Sequence, residues 1–273
     1  MTLEVFMKNV RTYKKMKKDG QKIVMVTAYD YPSAKYVQNA EVDIILVGDS
    51  LGMVILGYKD TLKVTLEDIL HHTKAARRGA DDTFIVADMP FMTYNISLEE
   101  TKKNAALLIT QGGANAVKLE GGKPSRLNAI KAIVDCEIPV VAHLGLTPQS
   151  INVFGGYKVQ GKSKTEFNKI LNQAIEIEKA GAFMLVLEGI PEELGKIISE
   201  TIPIPTIGIG AGKYTDGQVL VYHDILGMAD FKPKFVKNYA QLNKDIPDKI
   251  AEFSREVKEG KFPAEENIYH PIK

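Results

Sequence analysis

Short apolar runs recur along this chain, and most are separated by stretches with the periodicity of amphipathic helices. Each run has four to seven residues, a length typical of a strand and too short for an ordinary helix. Continuous apolar runs indicate strands that are buried on both faces, as in a parallel sheet. Eight runs fit this description: Ile23–Thr27, Val42–Val47, Phe84–Ala87, Ala116–Leu119, Ile138–Leu144, Phe183–Leu187, Pro205–Ile209 and Gln218–Tyr222.

The stretches between the runs predict helices, two of which have recognisable starts. Thr65 with Asp68, and Ser97 with Glu100, have the spacing of N-terminal capping residues. Eight strands alternating with helices predict an α/β fold, a (β/α)8 TIM barrel, with an open doubly wound sheet as the alternative. We predict one domain over residues 1–273, with the barrel at about 22–224 and helical segments at 1–20 and 225–273. The other predicted helices are Val5–Lys18, Tyr31–Asn39, Pro124–Val134, Lys164–Ala180 and further helices within Lys234–Lys261.

Composition narrows the class of protein. The 273 residues carry 35 Lys and Arg against 34 Asp and Glu, a balance that gives no indication of a nucleic-acid or membrane partner. The single cysteine, Cys136, excludes an intramolecular disulfide and fits a reducing compartment. The N-terminus lacks the apolar core of a signal peptide, and no apolar run approaches a membrane span in length. We therefore expect a soluble, cytoplasmic protein.

Ionisable residues stand at or just beyond the ends of five consecutive runs, the second to the sixth. In a barrel, the C-terminal strand ends form the face that carries the active site. One such residue alone would indicate a turn or a helix N-cap, for which Asp and Ser are also suited. Their recurrence at five strand ends instead predicts one site. The residues are Asp49 with Ser50, Asp88, Lys118 with Glu120, His143, and Glu188.

The predicted site is rich in carboxylates and contains one imidazole and no thiol. This donor set favours a hard cation such as Mg²⁺ over zinc. Lys118 and Glu120 are two residues apart, so on a strand their side chains point to the same side. A structural salt bridge between them is the alternative, and the sequence leaves it open.

Other chemistries have weaker support. A Schiff base on Lys118 requires a depressed pKa, whereas nearby acids would raise the pKa of that amine. The segment Gly208–Gly212 is rich in glycine but matches neither GxGxxG nor a P-loop, because Tyr214 stands where a P-loop has Ser or Thr. It lies where many barrels bind phosphate, although glycine also permits tight turns. Both interpretations stay open.

Ten blocks follow one another between about Thr27 and Asn238: TAYDYPSAK, VDIILVGDSLGM, HHTKAARRGA, ADMPFM, AVKLEGG, AHLGLTPQS, FGGYKVQG, LVLEGIP, IGIGAG and TDGQVLVYHD. In their composition and order they resemble the ketopantoate hydroxymethyltransferase family. The resemblance implies transfer of a hydroxymethyl group from 5,10-methylenetetrahydrofolate to α-ketoisovalerate (3-methyl-2-oxobutanoate). The product is ketopantoate (2-dehydropantoate), an early intermediate of pantothenate and coenzyme A biosynthesis.

The resemblance also implies roles for the residues at the strand ends. It makes Glu188 the catalytic base, and it makes Mg²⁺ and 5,10-methylenetetrahydrofolate the expected cofactor and co-substrate. It places Mg²⁺ on Asp49 and Asp88, with Glu120 acting through a water molecule. A capping glutamate before the helix near Pro191 is the alternative for Glu188. The substrate-binding residues implied by the resemblance are Asp49, Ser50, Asp88, Lys118 and His143.

Three functions compete at this point. The first is the magnesium-dependent, aldol-type transferase, which the family resemblance implies to be a homo-oligomer, with decamers typical. The second is another magnesium-dependent barrel enzyme on 2-oxo acids, of the isocitrate lyase and phosphoenolpyruvate mutase type. Those enzymes resemble one another in a KKCGH-type loop, which this chain lacks. The third is a catalytically silent barrel that binds a carboxylate or acts as a scaffold, and the intact set of acids argues against it.

Overall fold

The computed structural model describes residues 7–229 and 232–270. Its eight parallel strands form one closed barrel in sequence order, in which β8 pairs with β1. The predicted barrel is therefore confirmed, and the open doubly wound sheet is wrong. The strands are β1 Ile23–Thr27, β2 Ile44–Val47, β3 Phe84–Asp88, β4 Ala116–Glu120, β5 Val140–Gly145, β6 Met184–Glu188, β7 Thr206–Ile209 and β8 Gly217–Leu220.

Helices follow the strands, except between β7 and β8, where residues 210–216 form a loop. At α4, Thr65 and Asp68 form the predicted capping box, and Ser97 accepts the backbone N–H of Glu100 at the start of α5. Within the described ranges, no helix has the length and apolar character needed to cross a membrane. The α-helices are α1 Val10–Lys18, α2 Tyr31–Asn39, α3 Leu51–Val54, α4 Leu66–Gly79, α5 Leu98–Thr110, α6 Pro124–Val134, α7 Ile151–Phe154, α8 Lys164–Lys179, α9 Glu192–Thr201, α10 Tyr222–Ile225 and α11 Leu242–Lys258, with 3₁₀ turns at Pro148–Ser150 and Glu265–Asn267.

The N-terminal helix is shorter than the predicted Val5–Lys18. It begins at Val10 because the Asn9 side chain accepts the backbone N–H groups of Arg11 and Thr12. An N-cap residue has non-helical dihedral angles, so the helix cannot extend through it. Residues 5 and 6 lie outside the described residues.

The C-terminal segment also differs from the prediction of several helices over residues 234–261. One α-helix, α11, occupies this region, and residues 234–241 are not helical. The Asn238 side chain donates to the backbone oxygen of Asp224, and the backbone N–H of Tyr239 donates to that of Ile225. These bonds attach Asn238 and Tyr239 to α10. The backbone of this segment is therefore bonded to α10 and does not form a helix of its own.

The chain divides into two compact units, one ending at Tyr222, which contains the barrel, and one beginning at His223. This boundary lies close to the predicted end of the barrel at residue 224. The assignment of the whole chain to a single domain stays a prediction.

Helix α1 closes the end of the barrel at which the strands begin. Tyr13 is fully buried and packs edge-on against Phe84, the first residue of β3, with 5.3 Å between the ring centroids. Its hydroxyl donates to the backbone oxygen of Asp43 at 2.9 Å. Lys17 donates to two backbone carbonyls and to Asp216 Oδ2, the last at 2.8 Å. Because α1 fills this face, the site lies at the opposite face, where the strands end.

Alternation along each strand separates an apolar interior from a polar mouth. Phe84, Val86 and Asp88 share one side of β3, because side chains two apart point the same way. The first two belong to the apolar core, and Asp88 lies above them at the strand end. Val141 and His143 repeat this arrangement on β5. The ionisable residues therefore rest on an apolar base.

We expect Lys17→Met to lower the free energy of unfolding by about 2–3 kcal/mol, because it removes the ammonium partner of a largely buried carboxylate. The Asp216 side chain is only 18% exposed. The matched control is Lys15→Met on the same helix, whose side chain is 78% exposed. It should change stability by less than about 0.5 kcal/mol. Urea unfolding followed by circular dichroism measures both, and equal effects would contradict the role given to Lys17.

Candidate active site

The barrel gathers the residues predicted at the strand ends into one mouth. The strand register sets Asp88 beside Lys118 and Glu120 beside His143 on neighbouring strands. Asp49 follows β2 after Gly48, where an added Cβ would lie 3.3 Å from Asp88 Oδ2. A glycine at this position therefore allows the two acids to approach closely. All the ionisable residues predicted for the site converge here.

Lys118 and Asp88 form a buried ion pair. Their Nζ and Oδ1 atoms are 2.9 Å apart, and their side chains are 6% and 3% exposed. Burial favours a lower pKa for Lys118, but Asp88, Glu120 and Asp49 outweigh burial and raise the pKa above its usual value. The amine is therefore held as an ammonium ion, which supports the argument against a Schiff base. Lys118 does not form the alternative salt bridge with Glu120, because the strand register places Lys118 beside Asp88.

Asp49 is the second buried acid at this position. Its backbone N–H donates to Asp88 Oδ2 at 2.9 Å, and its own Oδ2 accepts from Gln149 Nε2 at 2.7 Å. Burial raises the pKa of Asp49 well above its ordinary value, and the charges of Asp88 and Glu120 add to this rise. Burial also raises the pKa of Asp88, although Lys118 opposes it. Both acids are thus held where their ionised forms are disfavoured.

His143 lies between two carboxylates. Its Nδ1 is 3.4 Å from Glu120 Oε1, and its Nε2 is 3.3 Å from Glu188 Oε2. Burial favours a lower pKa for His143, but the two carboxylates outweigh it and raise the pKa to about 9. The imidazole is therefore protonated at neutral pH. Glu188 contacts His143 and does not cap α9, whose N-cap is Pro191, so the capping alternative is wrong.

Ser50 stands at the N-cap position of α3 but makes no side-chain capping bond. Its Oγ instead lies 2.7 Å from the hydroxyl of Tyr29, which is fully buried. Neither Ser50 nor Asp49 therefore acts as a simple helix cap. Ser50 is anchored at the edge of the acid cluster, which consists of Asp49, Asp88, Glu120 and Glu188.

Two residues that the sequence analysis did not single out complete the site. Gln149 and Tyr94 are buried, and the Tyr94 hydroxyl donates to Gln149 Oε1 at 2.5 Å. The backbone N–H of Gln149 donates to Glu120 Oε2 at 3.0 Å, and that of Glu120 donates to the Tyr94 hydroxyl at 3.3 Å. Gln149 belongs to the block AHLGLTPQS, but an uncharged residue in a loop gives no chemical signal by itself.

The donor set fits a divalent cation held by few protein ligands. Four carboxyl groups face one ammonium and one imidazolium ion, so the acids outnumber the cations by two. Hydrogen bonds to the Asp49 carboxylate involve Oδ2, which leaves Oδ1 for a ligand. Within residues 7–229 and 232–270, no three His, Cys, Asp or Glu side chains form a ready-made metal cluster. Mg²⁺ commonly binds through one or two carboxylates, with water and substrate oxygens filling its other positions.

The glycine-rich loop after β7 is explained by its conformation. Gly210 and Gly212 have φ angles of +63° and +78°. A Cβ added at Gly212 would come within 2.3 Å of Glu192 Cγ. These positions require glycine for the turn and for close packing, which favours the tight-turn interpretation over a phosphate site.

Comparison with known sequences identifies one family. A family model described as ketopantoate hydroxymethyltransferase matches residues 7–265. The chain is 55% identical over 261 residues to a 3-methyl-2-oxobutanoate hydroxymethyltransferase of Clostridium botulinum strain Langeland, covering 95% of this chain and 94% of that protein. It is 57% identical over 259 residues to the enzyme of the same name from Thermoanaerobacter sp. strain X514, covering 94% of each.

Solved structures with the same fold are more distant in sequence. A phosphoenolpyruvate phosphomutase from Streptomyces platensis subsp. rosaceus superposes with a TM-score of 0.63 at 13% identity, covering 97% of this chain and 92% of that one. A phosphonopyruvate hydrolase solved with oxalate and Mg²⁺ gives a TM-score of 0.60 at 11% identity, covering 96% and 91%. At this level of identity the likeness supports the barrel fold alone.

We expect Asp49→Asn and Asp88→Asn to change the stability of the metal-free protein in opposite directions. Asp49→Asn replaces a buried acid whose raised pKa means that its ionisation is disfavoured in the folded state, so stability should rise at pH 7. Asp88→Asn leaves the Lys118 ammonium without its partner, so stability should fall by about 3 kcal/mol.

Thermal unfolding in EDTA between pH 4 and pH 8 measures both variants. The raised pKa of Asp49 makes its destabilising effect grow as pH rises above the unfolded value of about 3.9. The advantage of Asp49→Asn over the wild type should therefore shrink toward pH 4. A loss of stability in both variants at pH 7 would contradict this account of the two acids.

Proposed function

The chain belongs to the ketopantoate hydroxymethyltransferase family, and we propose that its barrel mouth carries out the hydroxymethyl transfer. The substrate is 3-methyl-2-oxobutanoate, the donor is 5,10-methylenetetrahydrofolate, and water supplies the hydroxyl of the ketopantoate formed. This reaction is a step of pantothenate, and hence coenzyme A, biosynthesis. The observation that carries the proposal is the buried pair Asp88–Lys118 beside the chain of contacts Glu120–His143–Glu188.

Asp49 and Asp88 are the residues that would hold Mg²⁺, with Glu120 acting indirectly from the same side of the mouth. A bound Mg²⁺ would supply positive charge to the oxygens of the 2-oxo acid, on which negative charge develops when C3 loses its proton. Lys118 contributes to the same end, because its ammonium ion is fixed beside Asp88 in a buried setting. Ser50 would border the space for the substrate and offer its hydroxyl group to the substrate oxygens, and His143, whose two ring nitrogens face Glu120 and Glu188, would lie against the substrate.

Glu188 is the residue best placed to accept the proton from C3. Its side chain is 17% exposed, whereas those of Glu120 and His143 are each 3% exposed, so Glu188 lies on the open side of the site. His143 is protonated at neutral pH and cannot accept a second proton. It can instead hold the Glu188 carboxylate in place, with Nε2 at 3.3 Å from Oε2.

The one-carbon donor must approach from this open side, because its methylene carbon has to reach C3 next to the base. The Tyr157 hydroxyl lies 3.6 Å from Met53 Sδ, which joins the segment after α7 to helix α3 beside the mouth. Both side chains remain partly exposed. An aromatic ring and a thioether present a surface suited to the flat ring of a folate.

We also propose a cytoplasmic location. Cys136 is a free and exposed thiol. Such thiols persist in reducing compartments, which supports this location for the protein.

A homo-oligomer completes the proposal. Helix α11 carries four exposed apolar residues, Ile246, Ile250, Phe253 and Val257. Their spacing of four, three and four residues places them on one face of the helix. A stripe of this kind marks a protein–protein interface.

Glu188→Gln should slow exchange of the C3 proton by about a hundredfold or more, because removal of a general base has effects of this size. Enzyme, Mg²⁺ and 3-methyl-2-oxobutanoate are incubated in D₂O without folate, and loss of the proton is followed by NMR. Glu193→Gln, which changes an exposed glutamate on α9, is the control and should exchange at the wild-type rate.

Exchange by Glu188→Gln at the wild-type rate would assign the base to another residue. The reaction itself is tested by a turnover assay with both substrates and saturating Mg²⁺. Failure of the wild type to release ketopantoate under these conditions would end the proposed function.

For the assembly, we expect sedimentation velocity at micromolar concentration to show a species larger than a monomer. Ile250→Glu should shift it toward smaller species, because a charge on the apolar stripe opposes burial. Arg255→Glu introduces the same residue on the opposite face of α11 and should leave the distribution unchanged. A monomeric wild type would refute the oligomer, and an unaffected Ile250→Glu would exclude this stripe as its interface.

A further inference from the structure

The family resemblance assigns no role to Gln149, but this residue contacts two members of the acid cluster. It lies in the 3₁₀ turn after β5 and is buried. Its Nε2 donates to Asp49 Oδ2 at 2.7 Å and to the backbone oxygen of Met89 at 3.0 Å. Through these two bonds the side chain reaches the ends of β2 and β3.

The orientation of the Gln149 amide is determined by its neighbours. The carboxylate of Asp49 and the carbonyl of Met89 are acceptors, so both require the NH₂ end of the amide. The Tyr94 hydroxyl donates to Oε1 from the other side. A flipped amide would lose the hydrogen bonds to Asp49 and Met89.

The backbone of Gln149 contacts a second acid. Its N–H donates to Glu120 Oε2 at 3.0 Å. One residue thus holds the carboxylate of Asp49 through its side chain and that of Glu120 through its main chain. These acids come from β2 and β4, so the turn after β5 sets their relative position.

A neutral donor at this position has a specific consequence. Lys118 already compensates Asp88. A second cation against Asp49 would cancel the negative charge that a divalent ion requires, whereas an amide donates a hydrogen bond and adds no charge. The hydrogen bond engages Oδ2 of Asp49, so Oδ1 is the oxygen that Gln149 leaves for another ligand.

We propose that Gln149 is a positioning residue, which acts through Asp49 by occupying Oδ2 and presenting Oδ1 to the Mg²⁺ ion. The inference rests on the proposed function, because it assumes that Asp49 is a magnesium ligand. It predicts an effect on metal affinity that is separate from any effect on stability.

The test is the affinity for Mg²⁺ alone, measured by isothermal titration calorimetry. Gln149→Met keeps the length of the side chain and removes its polar atoms, so Asp49 loses its donor. The dissociation constant for Mg²⁺ should rise about tenfold or more, the usual effect of removing a residue that orients a metal ligand. Gln149→Asn keeps an amide on a shorter stem, should fold more readily, and should give an intermediate constant.

Lys17→Met is the control for destabilisation as such, because it weakens the fold at the opposite end of the barrel. It should bind Mg²⁺ with the wild-type constant. If Gln149→Met and Gln149→Asn both bind Mg²⁺ within about twofold of the wild type, the positioning role is overturned. If the wild type itself neither binds Mg²⁺ nor exchanges the C3 proton, the proposed function fails instead, so the two failures are distinguishable.

Discussion

A cluster of buried acids that outnumber the cations beside them at the C-terminal mouth is the constraint on which this structure depends. Asp49 and Asp88 are almost fully buried and joined through a backbone N–H, and burial raises the pKa of both. One ammonium ion and one imidazolium ion offset only part of the charge. Acids held close together repel one another when they ionise, and a closed barrel supplies the rigidity that keeps them in place because each strand is bonded on both sides.

The two ends of the barrel divide stability and chemistry between them. At the closed end, α1 covers the strand starts with Tyr13 and with the three hydrogen bonds of Lys17. Apolar layers fill the interior above it, and the ionisable residues of the site follow at or just beyond the ends of β2 to β6. The closed end stabilises the fold, and this compensates for the unfavourable burial of Asp49 and Asp88 at the mouth.

The sequence predicted the fold and the members of the acid cluster, because apolar runs and the charged residues that end them are local patterns. It did not predict their partners. Lys118 pairs with Asp88 on the next strand and not with Glu120 on its own, since the register between strands depends on the closed barrel. Gln149 and Tyr94 were missed for a related reason: each is an uncharged loop residue whose contacts exist only after the strand ends converge.

Residues of one chemical type receive different roles from their surroundings. Asp49, Asp88 and Glu120 are enclosed and engaged by backbone or amide N–H groups, which suits carboxylates that serve as fixed negative charge. Glu188 lies on the open side, with His143 as its neighbour. Because the two flanking carboxylates keep that imidazole protonated, it can donate but not accept a proton. In the proposed function, proton removal therefore falls to the carboxylate that the substrate can approach. The proposed division between metal site and base follows from burial and hydrogen bonding, since the four acids are chemically alike.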